Sequence, residues 1–266
     1  MSSASTSHIV SKDGTRIAYE RLGAGPAVVL VDGAMCSRAF GPMPKIAALL
    51  KDHFTVYLYD RRGRGESGDT QPYSKAREVE DIDALVRAAG GAAFAVGLSS
   101  GAALALEAAA SGLPLRKLAV YEPPFVTTDS TRQQPDHLDK LKALVAGGER
   151  GAAVKYFMRD MVHVPAPFVL MMQVMRGVWN KLKAVAHTLP YDAAIMGNWQ
   201  VPVARLAGVR TPTLAMYGGK TEMRLKHAVE ELVKVLPNVR REVLPGQTHN
   251  VSAAVLVPAL VEFLKE

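Results

Sequence analysis

The chain has 266 residues, 48% of them hydrophobic and 21% charged, enough to bury a large core in one domain that also carries an insertion. Its formal charge of +7 comes from Lys and Arg scattered among acids, not from a basic tract with interleaved aromatics, so no nucleic-acid partner is expected. A single cysteine, Cys36, excludes an intrachain disulfide and any multi-cysteine metal site.

Residues 1–8 are Ser-rich and lack the basic and apolar regions of a signal peptide, and no later apolar run is long enough to span a bilayer. A cytoplasmic protein without a membrane partner is the expectation. Residues 15–22 alternate and predict an early strand. Residues 27–31, AVVLV, form a continuous apolar run ended by Asp32-Gly33, which predicts a strand buried on both faces. Residues 40–50 have helical spacing. Residues 54–59 repeat the buried-strand pattern and end in an Arg/Gly-rich turn at 60–67; it lacks the G-K-[ST] ending of a phosphate loop and is read as structural. Within 74–89, Val79, Ile82, Leu85 and Val86 recur at the steps of an amphipathic helix. Residues 94–98, 118–121, 213–217 and 239–243 complete the predicted buried strands, and helices at 100–111, 224–236 and 252–265 follow three of them.

This alternation implies βαβ crossovers and a mostly parallel sheet covered by helices on both sides. It breaks at 124–210, where helix-like stretches at 138–145, 152–162, 168–186 and 191–196 replace strands. The expected organisation is therefore a core of residues 1–123 and 211–266 with an all-helical cap at 124–210. Six of the eleven methionines (Met158, Met161, Met171, Met172, Met175 and Met196) lie in the insertion. They serve either as filling within a helical layer or as an adaptable apolar wall over a pocket, with Met171 and Met175 the candidate pocket residues. Cys36 reads as a small buried apolar residue and is a further pocket candidate.

The most specific signal is Gly97-Leu98-Ser99-Ser100-Gly101, a G-x-S-x-G between an apolar strand and an Ala-rich helix. So tight a reversal forces the central residue toward strained backbone angles and leaves no room for neighbouring side chains, which holds the Ser99 hydroxyl proud of the sheet. The free N–H groups and dipole of the following helix favour negative charge beside it.

With this elbow, the turn Asp32-Gly33-Ala34, the segment Asp60-Arg61-Arg62-Gly63-Arg64-Gly65-Glu66-Ser67 and Gly246-Gln247-Thr248-His249, the chain resembles a capped member of the α/β-hydrolase superfamily over nearly its whole length. The resemblance implies the order Ser, acid, His, with the histidine in a loop after the last strand. Of the seven histidines, His249 has that position. It also implies an oxyanion hole built from the backbone N–H groups of Ser100 and Ala34. This chain carries Asp32-Gly33 where relatives usually carry His-Gly.

Two acids compete for the third place. Relatives commonly carry an Asp in a Gly-x-x-Asp pattern after the strand that ends near Tyr217, but here the stretch is Gly218-Gly219-Lys220-Thr221-Glu222, and Glu222 falls one residue late. Glu122 closes the preceding strand, where the superfamily's haloalkane dehalogenases carry their acid, and Pro123-Pro124 restrict the chain behind it. Those enzymes use an aspartate nucleophile, so dehalogenation is not implied. Glu122 is the preferred acid and Glu222 the alternative.

The expected activity is that of a carboxylesterase-like serine hydrolase without metal or organic cofactor, acting on a small or medium, largely apolar ester or lactone. The same scaffold also resembles cofactor-free haloperoxidases that make peracids, carbon–carbon bond hydrolases acting on diketones, and hormone receptors that bind a ligand with little turnover. Oligomeric state is not legible.

Overall fold

Runs of β-branched and aliphatic residues between Gly- and Pro-bearing turns become strands here because only a sheet covered on both faces can bury them. The computed structural model describes residues 5–125 and 136–266. Its strands are β1 (Ser7–Val10), β2 (Arg16–Leu22), β3 (Ala27–Val31), β4 (Thr55–Tyr59), β5 (Ala93–Leu98), β6 (Leu115–Tyr121), β7 (Thr213–Gly218) and β8 (Val239–Leu244). They form one sheet in the order β1-β2-β4-β3-β5-β6-β7-β8. The first two pairings, β1 with β2 and β2 with β4, are antiparallel, and all later ones are parallel.

The helices are α1 (Met43–Leu50), α2 (Lys75–Ala88), α3 (Ser100–Ala110), α4 (His137–Ala146), α5 (Arg150–Tyr156), α6 (Ala166–Val174), α7 (Arg176–Ala184), α8 (Leu189–Met196), α9 (Val203–Leu206), α10 (Met223–Val235) and α11 (Ala253–Lys265). One apolar cluster, with Met43, Ile46, Leu256 and Leu260, covers one face of the sheet. The other face packs against Ile82, Leu85, Leu104 and Val229, and that cluster continues into Leu141, Val154, Leu182 and Leu189 between β6 and β7. From α4 to α9 the described residues are helical and joined by short turns; residues 126–135, at the start of the expected cap, lie outside the described residues.

Four boundaries differ from the sequence reading. Strand β1 was hidden in the polar start of the chain, since as an edge strand it only half-buries alternate residues. Strand β8 is the opposite edge and not a fully buried strand: Arg241 and Val243 face solvent. The helix expected at 40–50 starts only at Met43, after Pro42, because residues 37–40 form a bridged turn. The single helix expected at 168–186 is two, α6 and α7, broken at Met175, whose ψ of 74° leaves the helical region.

Candidate active site

The ends of β3, β5, β6 and β7 and the loop after β8 converge at one edge of the sheet, where parallel α/β sheets bind ligands. Ser99 links β5 to α3 with φ 53° and ψ −127°. The flanking glycines are required by contact: a Cβ at Gly97 would lie 2.6 Å from the Ala102 Cα, and one at Gly101 2.2 Å from the Val31 carbonyl oxygen. Ser100 points away from Ser99, donating its hydroxyl to Asp192 Oδ1 at 2.7 Å.

Glu122 follows β6 directly, with φ 48°, and is fully buried. Its Oε1 accepts the Gly218 N–H at 2.7 Å, and its Oε2 lies 2.7 Å from His249 Nδ1. An ionised carboxylate only accepts, so Nδ1 carries the hydrogen and Nε2 is left as the basic nitrogen. The histidine loop is held from below: the Tyr121 hydroxyl donates to the Thr248 carbonyl at 2.6 Å. Glu222, just before α10, instead accepts from Arg224 Nη2 at 3.0 Å.

Behind Ser99, polar contacts fix the turn after β3. Arg64 Nη1 donates to the Gly33 carbonyl at 2.6 Å, and the Gly33 N–H donates to Asp32 Oδ1 at 2.8 Å. Asp32 Oδ2 is buried with no hydrogen-bond partner among the described residues. Burial pushes the Asp32 carboxyl up to about 7, against the opposing pull of the Gly33 N–H and Arg64. Arg64 Nη2 also binds Asp192 Oδ2 at 2.7 Å, while Arg61 Nη1 binds Asp192 Oδ1 at 2.8 Å and its other edge pairs with Glu78. Burial raises the Asp192 carboxyl, but Arg64 and Arg61 with the Ser100 hydroxyl outweigh it and hold it below the usual carboxylate range. Asp192, Arg61 and Arg64 escaped the sequence reading as a unit; the Arg/Gly run was visible, but its acid partner lies more than a hundred residues away on α8.

A cavity of about 400 Å³ opens over Ser99, Ser100, Ala34 and His249. Phe157 and Met161, from a π-helical turn at Phe157–Met161, together with Met196 and Trp199 make its apolar wall; Lys220, Thr221, Glu222 and Arg224 make a polar one. The methionines expected in the pocket lie outside it: Met171, on α6, and Met175, at the break before α7, are 51% and 50% exposed and do not line the cavity, because both face solvent. Cys36 does not line it either. It sits behind Ala34, with Sγ 3.4 Å from the Ala34 carbonyl oxygen, and burial pushes its thiol up. All the non-glycine residues with positive φ among the described residues (Met35, Ser99, Glu122, His163 and Trp199) lie in or beside this site, as stored backbone strain at a working centre would. No group of three or more metal-ligating side chains occurs among the described residues.

A mostly parallel sheet with a nucleophile-elbow turn and a histidine–carboxylate pair defines an α/β hydrolase, and the model of the alpha/beta hydrolase family matches residues 23–261. The chain belongs to that family. Among solved structures, an α/β hydrolase from Sphaerobacter thermophilus DSM 20745 is 50% identical, with a TM-score of 0.90 over 97% of this chain and 100% of that one. A thermophilic esterase from Thermogutta terrifontis shares the fold at 21% identity, with a TM-score of 0.77 over 98% of each chain. N-formylmaleamate deformylase from Pseudomonas putida is 29% identical over 241 residues, 87% of this chain and 85% of that protein.

Proposed function

We propose that the protein is a serine hydrolase of small or medium acyl compounds, esters or lactones first, and that the helices between β6 and β7 act as its cap. Ser99 attacks the carbonyl carbon; His249 Nε2 takes the hydroxyl proton and returns it to the leaving group. Glu122 orients the imidazole and stabilises its cation. The backbone N–H groups of Ala34 and Ser100 receive the oxyanion, and water, activated by the same histidine, releases the acyl group. The observation that carries this reading is the 2.7 Å contact of buried Glu122 with His249 Nδ1, in the same cavity as a Ser99 held at φ 53°.

Hydrolysis of a small amide is the second reading, favoured by the similarity to a deformylase. A panel of aryl esters, lactones and N-formyl amides, with Ser99→Ala as control, separates the two. A serine-directed phosphonate should label Ser99 and spare Ser100, whose hydroxyl is bonded to Asp192. Ser99→Ala or His249→Ala should lower kcat by roughly 10⁴ to 10⁶. Labelling at Ser100, or full turnover by Ser99→Ala, would overturn the reading.

A further inference from the structure

The polar wall of the cavity has donors that the hydrolytic chemistry does not use. Residues 219–222 join β7 to α10, and Lys220, Thr221, Glu222 and, in the first turn of α10, Arg224 all border the cavity that holds Ser99 and His249. The loop backbone is tied down: the Gly219 and Lys220 N–H groups donate to the Leu244 and Gln247 carbonyls at 2.8 Å each, and the Thr221 N–H to Gly218 at 3.0 Å. Its side chains are less satisfied. Thr221 is 6% exposed and its buried hydroxyl has no hydrogen-bond partner among the described residues. Arg224 Nε is also buried and unpartnered, although Nη1 donates to the Met161 carbonyl at 3.3 Å and Nη2 to Glu222 at 3.0 Å. Buried donors left unpaired are costly, and a native chain that keeps two on the lining of one cavity normally has a partner for them.

The arrangement specifies the partner. The Nε and Nη2 groups of a guanidinium form parallel donors matched to the two oxygens of a carboxylate. Glu222 uses only Nη2, and its side chain is 48% exposed, free to swing outward when an incoming oxygen pair takes the whole edge. Lys220 is exposed at the same rim, with no ion pair to any described residue. Helix α10 has 13 residues and no side-chain bond at its N-cap Glu222, so its first N–H groups add positive potential at this wall. Asp192 also borders the cavity, but Arg61 and Arg64 neutralise it. Of the remaining Asp, Glu, Lys and Arg side chains that line the space, Lys220 and Arg224 stand against Glu222, a net positive group in a cavity also lined by apolar Phe157, Met196 and Trp199.

We infer that this wall is a carboxylate-binding subsite, formed by Arg224, Thr221 and Lys220, and that the substrate is an acyl compound bearing a carboxylate remote from the bond that is cleaved. The inference rests on the serine-hydrolase reading for its kinetics but not for its binding.

The test compares 4-nitrophenyl hemiglutarate with 4-nitrophenyl pentanoate, which differ chiefly in the terminal carboxylate. The wild type should favour the hemiester by roughly tenfold or more in kcat/KM, mainly through KM, as a charge-assisted contact made in both ground and transition states requires. Arg224→Met and, on the exposed rim, Lys220→Ala should each remove most of that ratio. Glu222→Gln should raise it, because it deletes the competing carboxylate. Equal turnover of the two esters, or a ratio unchanged in both Arg224→Met and Lys220→Ala, overturns the subsite while leaving the hydrolase intact. If neither ester is cleaved, the ester reading fails, and the subsite is judged by glutarate titrated calorimetrically into the wild type and the same variants. Millimolar binding lost in Arg224→Met and Lys220→Ala supports it; no binding, or binding that both variants retain, overturns it.

Discussion

Glu122 meets two demands with one carboxylate: one oxygen holds the Gly218 N–H and the other holds His249. The first bond aims the second, so the side chain has no freedom to leave the imidazole. Glu122→Gln keeps the shape and the Gly218 contact but loses the charge that stabilises an imidazolium; kcat should fall by roughly 10³ to 10⁴. Glu222→Gln should cost far less on a neutral ester, because Glu222 bonds Arg224 and not the histidine. The order of these two losses, read in steady-state assays of folded variants, checks the assignment. Asp32 makes a different residue-scale prediction. Its folded carboxyl titrates near 7 against 3.8 unfolded, so the folded state holds a proton that the unfolded state has released, and stability falls as pH rises from about 4 to 7. Asp32→Asn retains the acceptor for the Gly33 N–H and removes that penalty. Its melting temperature should exceed that of the wild type by more at pH 8 than at pH 4.5.

At the scale of elements, the π-helical turn after α5 and the end of α8 bring Met161 and Met196 to the cavity, while Met171 on α6 and Met175 just after it face solvent. Met161→Ala or Met196→Ala should shift acyl-chain preference toward longer esters, whereas Met171→Ala or Met175→Ala should leave it in place. A chain-length series measured on all four variants checks this. Helix α8 also carries Asp192, the counter-ion of two buried arginines. Removing one partner of such a cluster typically costs roughly 3 to 5 kcal/mol, so Asp192→Ala should unfold at markedly lower denaturant than wild type. Because Arg64 also grips the Gly33 carbonyl, any folded fraction should lose kcat as the turn loosens.

Across the whole molecule, what could be read from the residues followed from how local the cause was. The buried strands and the elbow were legible because continuous apolar runs and paired glycines announce themselves within a few residues, as with residues 27–31 and Gly97 and Gly101. His249 could be placed only by its position after the last strand, and Glu122 only by the resemblance together with Pro123-Pro124. The outward turn of α6 was illegible: a helix with apolar Phe168, Leu170, Met171 and Val174 shows no single polar face to mark its solvent side. The Asp192 cluster was illegible because its members are joined only by folding. Acid–arginine pairs also shape acid stability. Asp192, and Asp13, whose Oδ2 pairs with Arg62 Nη1 at 2.9 Å, are held below 3.8, so the stability they contribute is present above about pH 4 and is lost as pH falls through their folded values. With Asp32 acting in the opposite sense, thermal melts across pH should peak on the acid side of neutrality, and the peak should broaden upward in Asp32→Asn.

Asp192 ties the helices between β6 and β7 to the turn after β4. Were residues 124–210 excised and β6 spliced to β7, Arg61 and Arg64 would keep their places beneath the sheet edge while their shared anion left with the deleted helices. A trimmed sheet would thus leave Arg64 without an anion, Arg61 with Glu78 alone and the Ser100 hydroxyl without its acceptor. A sheet cut down in this way should therefore be less stable than the whole chain unless residue 64 is replaced with it.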